Sequence, residues 1–107
     1  MEPLLVLTNV PDRPVAEKLA RLLVESRAAA CVNILAACDS IYRWQGKVER
    51  AEEIPLIIKT TASAYSRLEE IIRSHHPYAL PEIIVLPITN GLPAYLEWVA
   101  QETEEHE

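Results

Sequence analysis

Two extended segments of about 15 residues each, meeting at Gly46, constrain the fold of this 107-residue chain more than any other feature. The first runs from Ala29 to Trp44, and the second continues through "VERAEEIPLIIKTT". Glycine supplies the backbone freedom that a hairpin turn needs, so we expect antiparallel neighbours. Each strand would measure roughly 50 Å, whereas a compact domain of this length has a diameter of about 34 Å. The hairpin is therefore expected to overhang its domain or to bend at a bulge.

The patterns on either side of the hairpin supply helices and further strands. "PLLVLTNV" (3–10) and "PEIIVLPI" (81–88) are apolar at nearly every position, as strands buried on both faces are. Apolar residues recur at helical spacing after each of the strands 3–10, 48–61 and 81–88, the last time in a short helix around 92–99. The order predicts one α+β domain over residues 1–107, a ferredoxin-like βαββαβ sandwich with an extra C-terminal helix.

Two features predict that this sandwich assembles with copies of itself. Helices cover one face of such a sheet, yet the first and last strands are apolar on both faces, so the second face also needs a cover. The overhanging hairpin offers strand edges to neighbours. Pro55 cannot donate to a strand ladder and is expected at an edge or a bulge. We expect a closed homo-oligomer with sheet edges shared between subunits.

Charge and cysteine placement restrict partners and location. The formal net charge is -6, and the Lys and Arg residues are scattered, so nucleic acid is not an expected partner. The N-terminal apolar run is too short for a signal sequence or a membrane span, which predicts a cytoplasmic protein without a membrane partner. Cys31 and Cys38, an odd number of residues apart on one predicted strand, would face opposite ways and stay reduced.

The familiar catalytic motifs are missing from the sequence. Glycine occurs only at positions 46 and 91, which rules out a dinucleotide-binding fingerprint and a Walker A loop. No C-x-x-C, H-E-x-x-H or G-x-S-x-G pattern is present either. The acidic pairs 52–53 and 69–70 are expected to be solvated, because adjacent carboxylates diverge. We therefore expect a protein that is not an enzyme and has no organic cofactor.

The histidine doublet in "SHHPYALPEI" is the most suggestive chemical feature. If the second long helix continues through them, His75 and His76 extend its apolar stripe and face the body of the protein. Pro77 ends the helix there and can turn the second ring. The two rings can pack at a helix C-terminus, bind a metal, or act in acid–base catalysis. Cys31 would add a thiolate suited to copper or zinc.

Aromatic and charged residues near the hairpin form a second candidate site. Tyr42 and Trp44 share one strand face, where they can pack between subunits. Lys59 lies on an otherwise apolar strand, and Glu82 stands at the start of the last one. Lys59 and Glu82 are candidates either for a buried ion pair or for ligand-binding charges in a cleft between subunits.

Several segments together resemble the CutA family of divalent-cation tolerance proteins. They are "RAAACVNI", "SIYRWQGKVE", "IIKTT", "HPYALPEIIVLPI" and "YLEWV", in the family's order along essentially the whole chain. The resemblance implies a cytoplasmic homotrimer of ferredoxin-like subunits, similar in architecture to the PII signalling proteins. It implies a role in tolerance to copper and other divalent metals, without an established enzymatic reaction.

The resemblance also carries over candidate copper ligands. The doublet before "PY" corresponds to His75 and His76, and the cysteine of "AAC" corresponds to Cys31. Thr8 stands where some members have a cysteine, and a hydroxyl is a poor ligand for soft copper, so a modest metal affinity is expected. The PII-like architecture implies an alternative function, a signalling or adaptor trimer that binds a small effector or a protein partner between subunits.

Overall fold

A computed structural model describes residues 2–104, and these form a mixed α+β fold. In chain order the elements are β1 (Pro3–Val10), α1 (Arg13–Glu25), β2 (Cys31–Ile34), β3 (Cys38–Trp44), β4 (Lys47–Thr61), α2 (Tyr65–His75), β5 (Ile84–Pro87) and α3 (Pro93–Glu102). The predicted ferredoxin-like arrangement with an added C-terminal helix is confirmed. None of the helices in this described part has the length and apolar character needed to cross a membrane.

The strands form an antiparallel sheet in the order β2, β4, β1, β5, and β3 pairs with the remaining half of β4. Val6 of β1 lies opposite Ile58 of β4 and opposite Val85 of β5, which fixes the register of the three strands. The next position along β1, Leu7, is paired with Ile57 and Ile84. Since side chains alternate between faces, these two rows lie on opposite faces of the sheet.

β3 and the first half of β4 form a two-stranded arm, residues 38–53, in which each strand pairs only with the other. The strands are joined through Gln45 and Gly46, which both have positive φ, at 50° and 81°. Positive φ at both positions of a two-residue loop matches the twist of the flanking strands. The described chain is 44 Å long and 29 Å by 23 Å in cross-section. The predicted hairpin and its overhang agree with this shape.

The first strand of the predicted hairpin is interrupted, which corrects the continuous strand expected from Ala29 to Trp44. β2 ends at Ile34 and β3 begins at Cys38. Opposite this gap lies Pro55, whose carbonyl accepts from the Leu35 N–H over 3.0 Å. In an extended strand the N–H and C=O of one residue point to the same side. A non-proline residue at position 55 would therefore also donate its N–H toward the gap between β2 and β3. Proline has no N–H, and the partner strand is interrupted at this position.

The core lies between the sheet and helices α1 and α2. Fully buried side chains from the helix-facing side of the sheet meet the apolar stripes of both helices; they include Val6, Leu56, Ile58, Leu19, Leu23, Leu68 and Ile72. Asp12 caps α1 by accepting from the Val15 N–H over 3.0 Å, as its position before the helix predicts. The last predicted strand is shorter than expected, because regular pairing begins at Ile84 and not at Pro81.

α3 lies against the opposite face, at the end of the sheet where β4 stops. The Thr61 and Thr103 hydroxyls are 3.2 Å apart, and both residues are buried. Elsewhere on that face apolar side chains remain accessible, and Ile84 and Leu86 are 49% and 41% exposed. We call Leu5, Leu7, Ile57, Ile84 and Leu86 the uncovered sheet face.

Candidate functional site

The histidine doublet lies at the C-terminal end of α2, and its two rings point in different directions. The helix ends at His75, and His76 takes an extended conformation with φ -81° and ψ 132°, as the following proline requires. His75 is exposed, whereas His76 is only 7% exposed. The expectation that both rings face the protein body holds for His76 alone, because the chain leaves the helix between the two residues.

The His75 ring is bonded to its own helix. Its Nδ1 atom lies 3.0 Å from the carbonyl oxygen of Ile71, one turn earlier. A carbonyl oxygen only accepts, so Nδ1 carries a hydrogen, and in the neutral ring Nε2 then holds the lone pair. A ring fixed by a hydrogen bond from one nitrogen to a backbone carbonyl, on an exposed residue, resembles the arrangement that metal-binding histidines have.

Both ring nitrogens of His76 are engaged in hydrogen bonds. Nε2 lies 2.7 Å from the backbone oxygen of Asn9, at the end of β1, and must donate to it. Nδ1 accepts from the backbone N–H of Tyr78 over 3.1 Å. One tautomer, with its hydrogen on Nε2, makes both bonds at once. The ring therefore ties the end of β1 to the loop that follows α2.

Tyr78 extends this connection to the root of the hairpin arm. Its hydroxyl donates to Oε2 of Glu53 over 3.0 Å, and its ring lies 4.7 Å from that of His76. Burial, then the hydrogen bond to Glu53 and that carboxylate's charge, raise the pKa of Tyr78 to about 12. Glu53 is only 9% exposed, so the expectation of a solvated acidic pair is wrong for this residue.

Glu82 joins the same connection through a side chain of β1. The Asn9 side-chain amide donates to Oε1 of Glu82 over 3.3 Å, while the Asn9 backbone accepts from His76. Glu82 thus has an amide as its partner. The ion pair considered for it does not form within the described residues, where the salt bridge that is present joins Arg50 and Asp39.

A second polar group surrounds Lys59 on the face that carries the uncovered apolar side chains. The Lys59 ammonium donates to the side-chain oxygen of Asn33 and lies 4.0 Å from the Cys31 sulfur. Burial, followed by the influence of the nearby Cys31 sulfur, raises the pKa of Tyr95 in α3. A single ammonium held by an amide and a thiol can attract an anionic ligand.

The predicted metal ligands do not come together within one chain. Cys31 lies beside Lys59 of β4, and Lys59 lies beside Leu5 of β1. His76 instead contacts Asn9, four residues farther along β1. These two positions on β1 are roughly 13 Å apart at strand rise. Within residues 2–104, no group of three or more His, Cys, Asp and Glu side chains is placed to hold a metal ion. Thr8 is 1% exposed, and its hydroxyl has no hydrogen-bond partner among them.

The four residues predicted for a cleft also lie apart within the chain. Tyr42 and Trp44 stand on the hairpin arm, 43% and 44% exposed. Lys59 is paired with Leu5 of β1, whereas Glu82 contacts Asn9, four residues farther along the same strand. One chain therefore does not form this cleft by itself.

The fold and the site define a small ferredoxin-like α+β protein with one sheet face partly uncovered and an exposed histidine at the end of its second helix. A family model described as "CutA1 divalent ion tolerance protein" matches residues 4–102. The chain belongs to the CutA1 divalent ion tolerance family. The resemblance seen in its motifs is thereby confirmed.

Relatives from distant organisms support this assignment. The divalent-cation tolerance protein CutA of Thermus thermophilus is 48% identical over 98 residues, which cover 92% of this chain and 95% of the relative. The human protein CutA is 46% identical over 94 residues, 88% of this chain, and the chain spans about half of that relative, 52%.

Solved structures of family members have the same fold. The Thermus thermophilus Cut A1 structure has a TM-score of 0.93 at 46% identity and covers 95% of this chain and 99% of that one. The CutA1 structure from Oryza sativa has a TM-score of 0.94 at 39% identity, covering 99% and 97%.

Sequence reasoning missed the partners that hold the candidate residues in place. Tyr78 follows the doublet in the motif "HPYALPEI", but nothing there indicates that it contacts His76, and Asn9, the other partner, lies 67 positions away. Tyr95 falls within the helical spacing around 92–99, which gives no sign of its nearness to Cys31. The alternation of β4 offered one signal, since Glu53 directly precedes its buried half.

Proposed function

We propose that this protein acts in tolerance to divalent cations by binding copper or a similar metal ion at the C-terminal end of α2. The observation that supports this most is the exposed His75 residue, whose Nδ1 donates to Ile71 so that the neutral ring presents its lone pair on Nε2. His75, His76 and Cys31 stay the candidate ligands from the sequence, and His75 is the one with an accessible donor atom. Neutral imidazole is a good ligand for copper and zinc.

Calorimetric titration with Cu²⁺ tests this proposal. We expect His75→Ala to weaken Cu²⁺ binding at least about tenfold. Removing a residue that hydrogen-bonds to a metal ligand already costs about this much in affinity, and removing the ligand itself should cost no less. Ser74→Ala, a change at the neighbouring exposed residue, is the control and should bind as wild type does. Identical isotherms for wild type, His75→Ala and a His75→Ala/His76→Ala double variant would refute binding at the doublet.

We also propose that the chain works as a homotrimer. The uncovered sheet face and the projecting hairpin arm support this, because apolar side chains and free strand edges of this kind are stabilised by a second copy. Light scattering should give about three times the chain mass of 12.1 kDa. A mass of one chain would refute the trimer. A cytoplasmic location belongs to the same proposal and is supported by two free thiols, Cys31 and Cys38.

The Lys59 group favours a second candidate function, a PII-like signalling or adaptor trimer with effector sites between subunits. Lys59, held by Asn33 and Cys31, is a fixed positive charge beside an apolar surface. Tyr42, Trp44 and Glu82 would join such a site from a neighbouring copy. A thermal-shift screen of small carboxylates and phosphates should raise the Tm of wild type but not of Lys59→Met. Equal responses of the two proteins would argue against this function.

A further inference from the structure

We infer that His76 is a structural latch for the loop after α2 and does not bind the metal ion. The structural role of His76 is independent of the proposed function. Only the statement that the metal ion contacts His75 and not His76 rests on it. The inference departs from the ligand set that the resemblance implies, because the hydrogen bonds of the His76 ring leave no nitrogen available.

A metal ion needs a ring nitrogen with a free lone pair. On His76, Nε2 carries its hydrogen toward the Asn9 carbonyl at 2.7 Å, and the Nδ1 lone pair accepts the Tyr78 N–H at 3.1 Å. Binding through Nε2 would move the ring hydrogen to Nδ1, where it would face the Tyr78 N–H. Both hydrogen bonds would then be lost together.

Binding through Nδ1 is also unfavourable. It would displace the Tyr78 N–H and leave that donor without its partner, and unpaired buried donors are costly. The ring is 7% exposed and packs 4.7 Å from the Tyr78 ring, so an ion and its remaining ligands have little space beside it. His76 is thus held in the protein by the two atoms that it would have to offer to a metal.

The latch connects three parts of the fold. Asn9 lies one residue before the end of β1 and reaches Glu82 with its side chain. Tyr78 continues from the ring to Glu53 at the root of the hairpin arm. His76 therefore positions the loop relative to both the sheet and the arm, and the adjacent His75 remains outside this network.

Nitrogen-15 NMR of the imidazole rings in the full chain, with Zn²⁺ as a diamagnetic probe, tests the inference. Before zinc is added, His76 should show a protonated Nε2 and an unprotonated Nδ1. Zinc should shift the Nε2 signal of His75 and leave both nitrogens of His76 unchanged. Zinc that shifts neither ring would refute the proposed function yet support the latch, provided that the His76 tautomer is as stated. A His76 ring with its hydrogen on Nδ1, or one that zinc shifts directly, would overturn the inference.

Matched variants separate the two roles. His76→Gln should leave Zn²⁺ affinity within about twofold of wild type and speed hydrogen exchange at the Tyr78 amide about tenfold or more, since that amide loses its acceptor. His75→Gln should weaken zinc binding and leave the Tyr78 amide protected. The opposite pattern would overturn the latch, and the NMR measurement on wild type decides the matter if His76→Gln fails to fold.

Discussion

The Tyr78 hydroxyl donates a hydrogen bond to Oε2 of Glu53 over 3.0 Å and joins the loop after α2 to the root of the hairpin arm. The two residues are 25 positions apart, and Glu53 is nearly buried. The sequence predicts that the acidic pair 52–53 is solvated. In the fold, the Glu53 carboxylate instead accepts a hydrogen bond from a tyrosine.

The raised pKa of Tyr78 predicts a loss of stability in strong alkali. The folded value of about 12 lies above the ordinary value of 10.0, so the folded state holds the phenolic proton more tightly than the unfolded chain. This contribution to stability is present below pH 10 and is lost as the pH rises toward about 12. Unfolding midpoints measured across this range should fall for wild type and fall less for Tyr78→Phe.

Glu53→Gln should lower the pKa of Tyr78, because the amide still accepts the hydrogen bond but carries no negative charge. Titration of ring-labelled tyrosines by NMR measures this pKa directly. Glu52→Gln, at the exposed neighbouring position, is the control and should change little. If Glu53→Gln left the Tyr78 titration in place, the assigned charge effect would be incorrect.

Thr8→Val should raise the free energy of unfolding by about 1 kcal/mol, since valine has nearly the same shape and lacks the hydroxyl that is buried without a partner. Thr8→Ala is the matched control; it also removes the hydroxyl but leaves a gap in the core, so it should not stabilise the protein. Denaturant unfolding of the three proteins measures both effects. A destabilised Thr8→Val variant would reveal a partner for the hydroxyl.

Gly46→Ala should cost about 1–2 kcal/mol, because a side chain strains the left-handed conformation that this residue adopts with φ 81°. No atom lies within 4 Å of an added Cβ, so the cost comes from the backbone alone. Gln45→Gly, at the other positive-φ position, should be neutral or stabilising. Thermal unfolding compares them, and an unchanged Gly46→Ala variant would contradict the turn geometry.

In the proposed trimer, Ile84→Lys should shift the equilibrium toward single chains, because a charge on the uncovered sheet face would then have to be buried between copies. Val24→Lys is a suitable control, since Val24 is 41% exposed on α1 and Ile84 is 49% exposed on the sheet. Light scattering gives the masses, and circular dichroism checks that each variant remains folded. An Ile84→Lys protein with the wild-type mass would place the interface elsewhere.

Much of the fold could be predicted from hydrophobic pattern and turn residues. The bounds of β1 agree with the predicted segment 3–10, and Gln45 and Gly46 join the two strands of the arm as expected. The break between β2 and β3 was not foreseen. The position of the break depends on whether the backbone polar groups of Pro55 point toward β1 or toward β2 and β3. Only the pairing register of β4 determines this.

The candidate site was predicted less completely, because its geometry depends on the change from helical to extended backbone between His75 and His76. Helical spacing places His75 and His76 on the same side, but the extended backbone of His76 turns its ring inward and leaves His75 outside. The contacts of His76 with Asn9 and of Cys31 with Lys59 join residues distant in sequence, which periodicity within one segment does not describe.

β4 is paired along its length with partners at very different distances in sequence, and this has a consequence for folding. The arm closes through a two-residue turn, whereas the pair Val6 and Ile58 closes a loop of about 50 residues. Local hairpins form in microseconds, and distant pairings are slower. We expect the arm to form before β1 docks, an order that pulsed hydrogen exchange can measure. The part of the chain farthest from the finished core would then be the first to acquire its native structure.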